Sequence, residues 1–180
     1  MNISVTENPH LTLVLGGARS GKSAYAERLI AAHPAPWIYI ATAEIFDDEM
    51  RARIEAHRRR RGESWRTIEA AQTLVEAIGA APTDRPLLID CLTLWLSNRL
   101  LGGADLSSDR AALVHALSSR AAPTVTVSSE VGLSIVPDNA LARSFRDAAG
   151  ELHQAVSRIA GRVALVVAGN SLIVKGQPFV

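Results

Sequence analysis

The 180-residue sequence predicts an α/β fold: a mostly parallel sheet with helices on both faces. Three observations carry that expectation. Short apolar, β-branched runs alternate with helix-patterned segments nearly from end to end, which is how a covered parallel sheet reads. Polar residues follow almost every run, as expected where strand ends converge on a ligand. The last two runs are separated only by "AGNS", too short for a crossover helix, so the final strand should be antiparallel at an edge. No repeat, low-complexity tract or linker interrupts the pattern, and residues 1–180 read as one domain.

The elements follow in order. Leu11 to Leu15 is the first strand, running directly into glycines, and a helix begins near Lys22. Trp37 to Ala41 is the second strand. A helix is expected near Asp47, where Asp47 or Asp48 supplies a cap, acidic residues fill the first turn and arginines the last. A weaker strand spans Ser64 to Ile68, followed by a helix from about Ala71 and a strand at Leu87 to Ile89. Helices near Leu92 and Ser107 precede the strand Thr124 to Val127. A helix from about Asp138 leads to the strands Val163 to Val167 and Leu172 to Val174. The "DAAG" at Asp147 to Gly150 imitates a motif of regulatory GTPases, but it lies within helical periodicity and is read as helix.

Nineteen Lys and Arg against 18 Asp and Glu leave a net charge of +1. That balance argues against a dedicated nucleic-acid binder. The start, "MNISVTENPH", lacks the basic and apolar regions of a signal peptide. No run approaches the roughly 20 apolar residues that span a bilayer. The single cysteine, Cys91, excludes an internal disulfide framework and a cysteine-rich metal site. A cytoplasmic protein is expected.

Gly16-Gly17-Ala18-Arg19-Ser20-Gly21-Lys22-Ser23 fits G-x-x-x-x-G-K-[ST], with a strand before it and a helix after. Glycines let backbone N–H groups turn toward phosphate oxygens, and a helix N-terminus adds positive potential. Lys22 would reach the β- and γ-phosphates, and the Ser23 hydroxyl would ligate Mg²⁺. A nucleoside triphosphate is therefore the expected ligand. Asp90, ending "PLLID", is the second candidate magnesium ligand, although Asp also favours the N-cap of the helix that follows. Glu130 after "TVTVSS" is a similar case. No N-K-x-D segment reads guanine.

The segment "DDEMRARIEAHRRRRGESW" is the second unusual feature. Met50, Ile54 and His57 share one helical face, so His57 should point toward the body of the protein. A half-buried histidine under a solvated basic helix end is the plain reading. Against it, Arg53 and Arg58 to Arg61 surround the ring with cations, favouring the neutral, nucleophilic imidazole. The same arginines could bind a polyphosphate and neutralise charge developing on phosphorus. An ATPase that grips nucleic acid through this helix would need an extended basic stripe, and the rest of the chain offsets its charge.

"GGARSGKS", "YIATAEIFDDEMRARIEAHRRRRGESWRTIEA", "LLIDCLTLWLSN", "SSEVGLSIVPDNALARSFRDAAGELHQ" and "VALVVAGNSLIVK" run in that order. Together they resemble the bifunctional adenosylcobinamide kinase / adenosylcobinamide-phosphate guanylyltransferase family of cobalamin biosynthesis, over nearly the whole chain from Leu11. The resemblance implies a P-loop NTPase with a RecA-like, mostly parallel sheet. It implies phosphorylation of adenosylcobinamide using ATP or GTP. It then implies attack of a histidine on the α-phosphorus of GTP and transfer of GMP to give adenosyl-GDP-cobinamide.

Carried over by position, His57 is the guanylylated histidine and Lys22 the phosphate-binding catalytic lysine. Gly16, Gly17, Ala18, Arg19, Ser20, Gly21, Lys22 and Ser23 form the nucleotide loop. Thr42, Ala43, Glu44, Arg58, Arg59, Arg60, Arg61, Glu69 and Asp90 fall where the family contacts nucleotide. Ser23 and Asp90 would hold Mg²⁺. The resemblance further implies a homo-oligomer, a trimer, with no nucleic-acid partner and no membrane span. The sequence departs from relatives at Ser129, where many have Asn, and at Asp90, where some have Glu. Glu130 and Asp90 both remain open as the base for the corrinoid hydroxyl. The apolar residues of "VGLSIVP" suit either a corrinoid surface or core packing.

Overall fold

The computed structural model describes residues 7–44 and 62–178. Seven strands form one sheet in the order β3-β2-β4-β5-β1-β6-β7. They are β1 (Asn8–Gly16), β2 (Trp37–Ala41), β3 (Trp65–Glu69), β4 (Leu87–Asp90), β5 (Thr124–Ser129), β6 (Ala160–Val167) and β7 (Asn170–Lys175). The helices are α1 (Lys22–Ala31), α2 (Leu74–Ala80), α3 (Leu92–Leu101), α4 (Leu106–Ser118) and α5 (Ala140–Ile159). All pairings are parallel except that of β6 with β7. The α/β expectation, with its antiparallel edge strand, is what the chain adopts.

Strand side chains alternate between faces, and here both faces are buried. Leu11, Leu13, Ile38, Ile40, Leu87 and Ile89 point into one core with Trp95, Leu113, Leu117, Val156 and Ile159 of α3, α4 and α5. Val14, Tyr39, Leu88, Val125, Val127 and Val166 point into the other, against Ala26 and Ile30 of α1. This two-sided burial is why the strands read as continuous apolar runs.

Several element boundaries differ from the expectation, two of them where side chains capture backbone groups. β1 begins at Asn8 rather than Leu11, because the buried Asn8 amide donates to the carbonyls of Leu117 and Arg120. The helix expected near Ala71 starts at Leu74, after Thr73. That expected near Asp138 starts at Ala140, with Asn139 Oδ1 accepting from the N–H of Ala142 at 2.7 Å. Such a cap contributes about 1 kcal/mol. Asp147 to Gly150 lie inside α5, as their periodicity indicated. The helix expected near Asp47 lies outside the described residues.

Candidate active site

The carboxyl ends of the parallel strands form the floor of the site. Register places Glu69, Ala41, Asp90 and Val127 in one row across β3, β2, β4 and β5. Gly16 pairs with Ser129 on one side and Val166 on the other.

The turn from β1 into α1 is shaped by its glycines. A Cβ on Gly16 would lie 2.5 Å from Ser20 Oγ and 2.6 Å from the Val166 carbonyl oxygen, so no larger residue fits. Gly21 has φ +95° and caps α1 without a side-chain bond. Arg19 adopts φ 55°, and the N–H of Ser20 bonds the Gly17 carbonyl at 3.3 Å. Lys22 Nζ reaches back to the Gly17 carbonyl at 3.2 Å. An ammonium at the mouth of a loop whose helix N-terminus carries no carboxylate cap makes an anion cradle.

The hairpin between β6 and β7 supports the cradle. Its two central residues, Ala168 and Gly169, have φ 50° and 81°, as a tight primed turn requires. The N–H of Gly169 bonds the Ser20 carbonyl at 2.9 Å. In the sequence, "AGNS" reads only as a short connection.

Asp90 ends β4, two strands from the cradle, or about 9.6 Å at ordinary strand spacing. It does not cap α3: Cys91 holds the cap position, and no side-chain cap bond is made there. Instead the Tyr39 hydroxyl donates to Asp90 Oδ2 at 3.3 Å, and Trp65 meets the Tyr39 ring edge-on at 6.2 Å. The neighbouring Cys91 thiol is pushed up to about 11, first by burial and then by the Asp90 charge, with Lys22 acting in the opposite sense. The thiol therefore stays protonated and is no nucleophile. Ser23 and Asp90 offer hard oxygen donors, which fit Mg²⁺, an ion that takes its remaining ligands from phosphates and water. Among the described residues no cluster of three acidic, His or Cys side chains builds a self-sufficient metal cage.

Thr42 is fully buried. Its hydroxyl donates to the Cys91 carbonyl at 2.7 Å and accepts from the Cys91 N–H at 2.8 Å. The side chain thus fixes the exit of β4 rather than offering a group to a ligand. Asn98 donates to the carbonyls of Thr42 and Ala71, both at 3.0 Å, tying the loop after β2 to the loop after β3. Glu44 accepts from Gln72 at 2.9 Å.

Glu130 follows β5 and lies one strand from the cradle. Its N–H bonds the Gly16 carbonyl at 3.0 Å, and its Oε1 accepts from the N–H of Gly132 at 2.6 Å. Behind it on α5 is the buried His153, whose Nδ1 is 3.6 Å from Glu130 Oε2 and whose Nε2 is 2.7 Å from Ser128 Oγ. Burial lowers the His153 pKa, opposed by Glu130, so the ring is neutral. The same loop exposes Leu133 (84%), Ile135 (94%) and Val136 (63%); these residues do not pack into the core.

A profile of the family described as "Cobinamide kinase / cobinamide phosphate guanyltransferase" matches residues 12–174. The chain belongs to that family. As a member of it, the protein is an enzyme of the kinase and guanylyltransferase class. It is 46% identical over 169 residues to the bifunctional adenosylcobalamin biosynthesis protein CobP of Pseudomonas aeruginosa, covering 92% of this chain and 98% of that one. It is 41% identical over 181 residues to the bifunctional protein CobU of Escherichia coli, covering 92% and 99%.

Solved structures show the fold alone. A prototypical ATPase of a bacterial type III secretion system superposes with a TM-score of 0.56 at 14% identity, over 91% of this chain and 56% of that one. The Pyrococcus horikoshii protein PH0250 superposes with a TM-score of 0.53 at 7% identity, over 97% and 90%. The fold is that of an α/β P-loop NTPase.

In this member of the cobinamide kinase / guanyltransferase family, the structure brings Gly16 to Ser23 and Asp90 to one end of the sheet. Glu69 ends the edge strand β3, four strands from β1 and about 19 Å away, so it cannot share the phosphate cradle. His57 and Arg58 to Arg61 lie outside the described residues. Tyr39, His153 and Gly169 were missed from the sequence. Each acts through a contact remote in sequence, and only the turn signal of Gly169 offered a local clue.

Proposed function

We propose that the enzyme phosphorylates adenosylcobinamide using ATP or GTP and then transfers GMP from GTP to the product through a guanylylated His57. The observation that carries this reading is the combination of a phosphate cradle at the strand ends with the family's "RIEAHRRRR" segment. In the kinase step the corrinoid hydroxyl oxygen attacks the γ-phosphorus, and the bond to the departing nucleoside diphosphate breaks. Lys22 and the N–H groups of α1 hold the phosphates, so the step draws on positioning and charge neutralisation. Ser23 and Asp90 would hold Mg²⁺, which when bound neutralises phosphate charge. The exposed Leu133, Ile135 and Val136 give the neighbouring loop an apolar face suited to a large macrocycle.

In the second half, a ring nitrogen of His57 attacks the α-phosphorus of GTP and pyrophosphate leaves. A phosphate oxygen of adenosylcobinamide-phosphate then displaces the imidazole and takes the GMP. Two displacements replace one difficult transfer. Arg58, Arg59, Arg60 and Arg61, with Ala43, Glu44 and Glu69, are assigned to the GTP of this half. The distance of Glu69 from the cradle favours a nucleotide extending along the strand ends, away from β1. Both activities sit on one domain of a cytoplasmic homo-oligomer, a trimer by family resemblance.

The test is mass spectrometry after exposure to GTP labelled at the α-phosphate. One added GMP on His57 is expected, lost in His57→Ala while phosphorylation of cobinamide by ATP persists. Normal labelling of His57→Ala would overturn the assignment.

A further inference from the structure

Two carboxylates stand near the cradle, and the kinase reaction needs one to take the proton of the substrate hydroxyl. Asp90 is two strands from β1, held by Tyr39 and suited to a metal. Glu130 is one strand away, its backbone bonded to Gly16 at the root of the cradle. Its side chain keeps 21% of its surface open, whereas the His153 side chain behind it keeps 8%. A substrate can therefore meet the carboxylate but not the imidazole.

The chain of contacts runs inward. Gly132 N–H donates to Oε1 of Glu130. His153 Nδ1 faces Oε2 at 3.6 Å, just beyond hydrogen-bond length; catalytic contacts of this kind often tighten only when substrate is present. Facing a carboxylate, Nδ1 is the nitrogen that keeps the proton. Nε2 is then bare and accepts from the Ser128 hydroxyl at 2.7 Å. Ser128 is fully buried, so nothing from solvent competes for that contact. Glu130 is the charged group that bears on His153. Two residues earlier on α5, Glu151 instead pairs with Arg110 of α4 at the exposed rim.

We propose that Glu130 is the base that accepts the hydroxyl proton in the phosphoryl transfer, and that His153, anchored by Ser128, is the residue that positions it. This rests on the kinase half of the reading above. As the hydroxyl oxygen bonds to the γ-phosphorus and the nucleoside diphosphate departs, the proton passes to a Glu130 oxygen and later to water. His153 exchanges no proton; its Nδ1–H fixes which lone pairs of the carboxylate face the substrate.

Two substitutions separate positioning from packing. The amide of Asn can occupy the place of Nδ1, and that of Gln the place of Nε2. With cobinamide and ATP, Glu130→Gln should lower kcat about 100-fold. His153→Gln keeps the Ser128 contact, loses the Glu130 contact, and should lower kcat about tenfold with KM for ATP unchanged. His153→Asn keeps the Glu130 contact and should stay within about threefold of wild type. Labelling by GTP should be unchanged in all three.

Wild-type kcat in Glu130→Gln or in His153→Gln overturns the proposal, as does an equal loss in the Asn and Gln variants. Should His153→Gln not fold, Ser128→Ala carries the test through a several-fold fall in kcat, and an unchanged kcat there also overturns it. A wild-type enzyme that fails to phosphorylate cobinamide sinks the kinase reading itself. An active wild type with an indifferent His153 sinks only this inference.

Discussion

The ends of β4 and β5 present the same chemical group in two different settings. Asp90 receives a phenol hydroxyl from Tyr39, lies beside a thiol that also responds to Lys22, and stands two strands from the cradle. Glu130 receives a backbone N–H from Gly132, faces a neutral buried imidazole, and stands next to β1. A carboxylate's task is set by what donates to it and by its distance from the reacting phosphate. In the reading proposed above, one strand of separation divides the work, Asp90 toward metal and Glu130 toward the proton.

The largest expected effect comes from breaking the first of these settings. Asp90→Asn removes the charge that a metal needs, and should lower phosphoryl transfer by about 100-fold or more. It should also raise the Mg²⁺ concentration required for half-maximal rate, read by titrating the metal. Glu130→Gln should leave that requirement unmoved. A shared Mg²⁺ response would erase the distinction between the two carboxylates.

Tyr39→Phe is a gentler probe of the same corner. It deletes the hydroxyl that orients Asp90 while keeping the ring against Trp65. Loss of an orienting partner commonly weakens metal binding about tenfold, so the Mg²⁺ requirement should rise with little change in rate at saturation. An unchanged requirement would show that Tyr39 merely packs.

The smallest effect concerns stability around β5. Burial lowers the His153 pKa below its ordinary 6.5, so the unfolded chain takes up this proton at higher pH than the folded one. In that window the unfolded state binds more protons, and stability falls as pH drops below about 6.5. His153→Asn removes this contribution. Its melting temperature should fall less than that of wild type between pH 7 and pH 5. An equal fall would place the acid sensitivity elsewhere.

Much of this molecule was legible before folding because its signals are local. Apolar runs separated by helix-length segments specify the parallel sheet, and a four-residue gap specifies the antiparallel edge. Gly16 and Gly21 mark the cradle because only glycine satisfies the close approach at one and the positive φ at the other. Asp90 could be named as a strand-end carboxylate, but two of its possible roles remained. The cap position went to Cys91, a choice that depends on how β4 leaves the sheet between Thr42 and α3.

The sequence by itself determined the α/β architecture, the phosphate loop and the family, since each is written in neighbouring residues with fixed spacing. Only the tertiary structure decided that Tyr39 serves Asp90, that His153 stands behind Glu130, and that the Ala168–Gly169 turn braces the loop at Ser20. Those partners are 51, 23 and 149 positions apart. Register and strand order brought them together, and no local pattern encodes a contact that exists only once the sheet has closed.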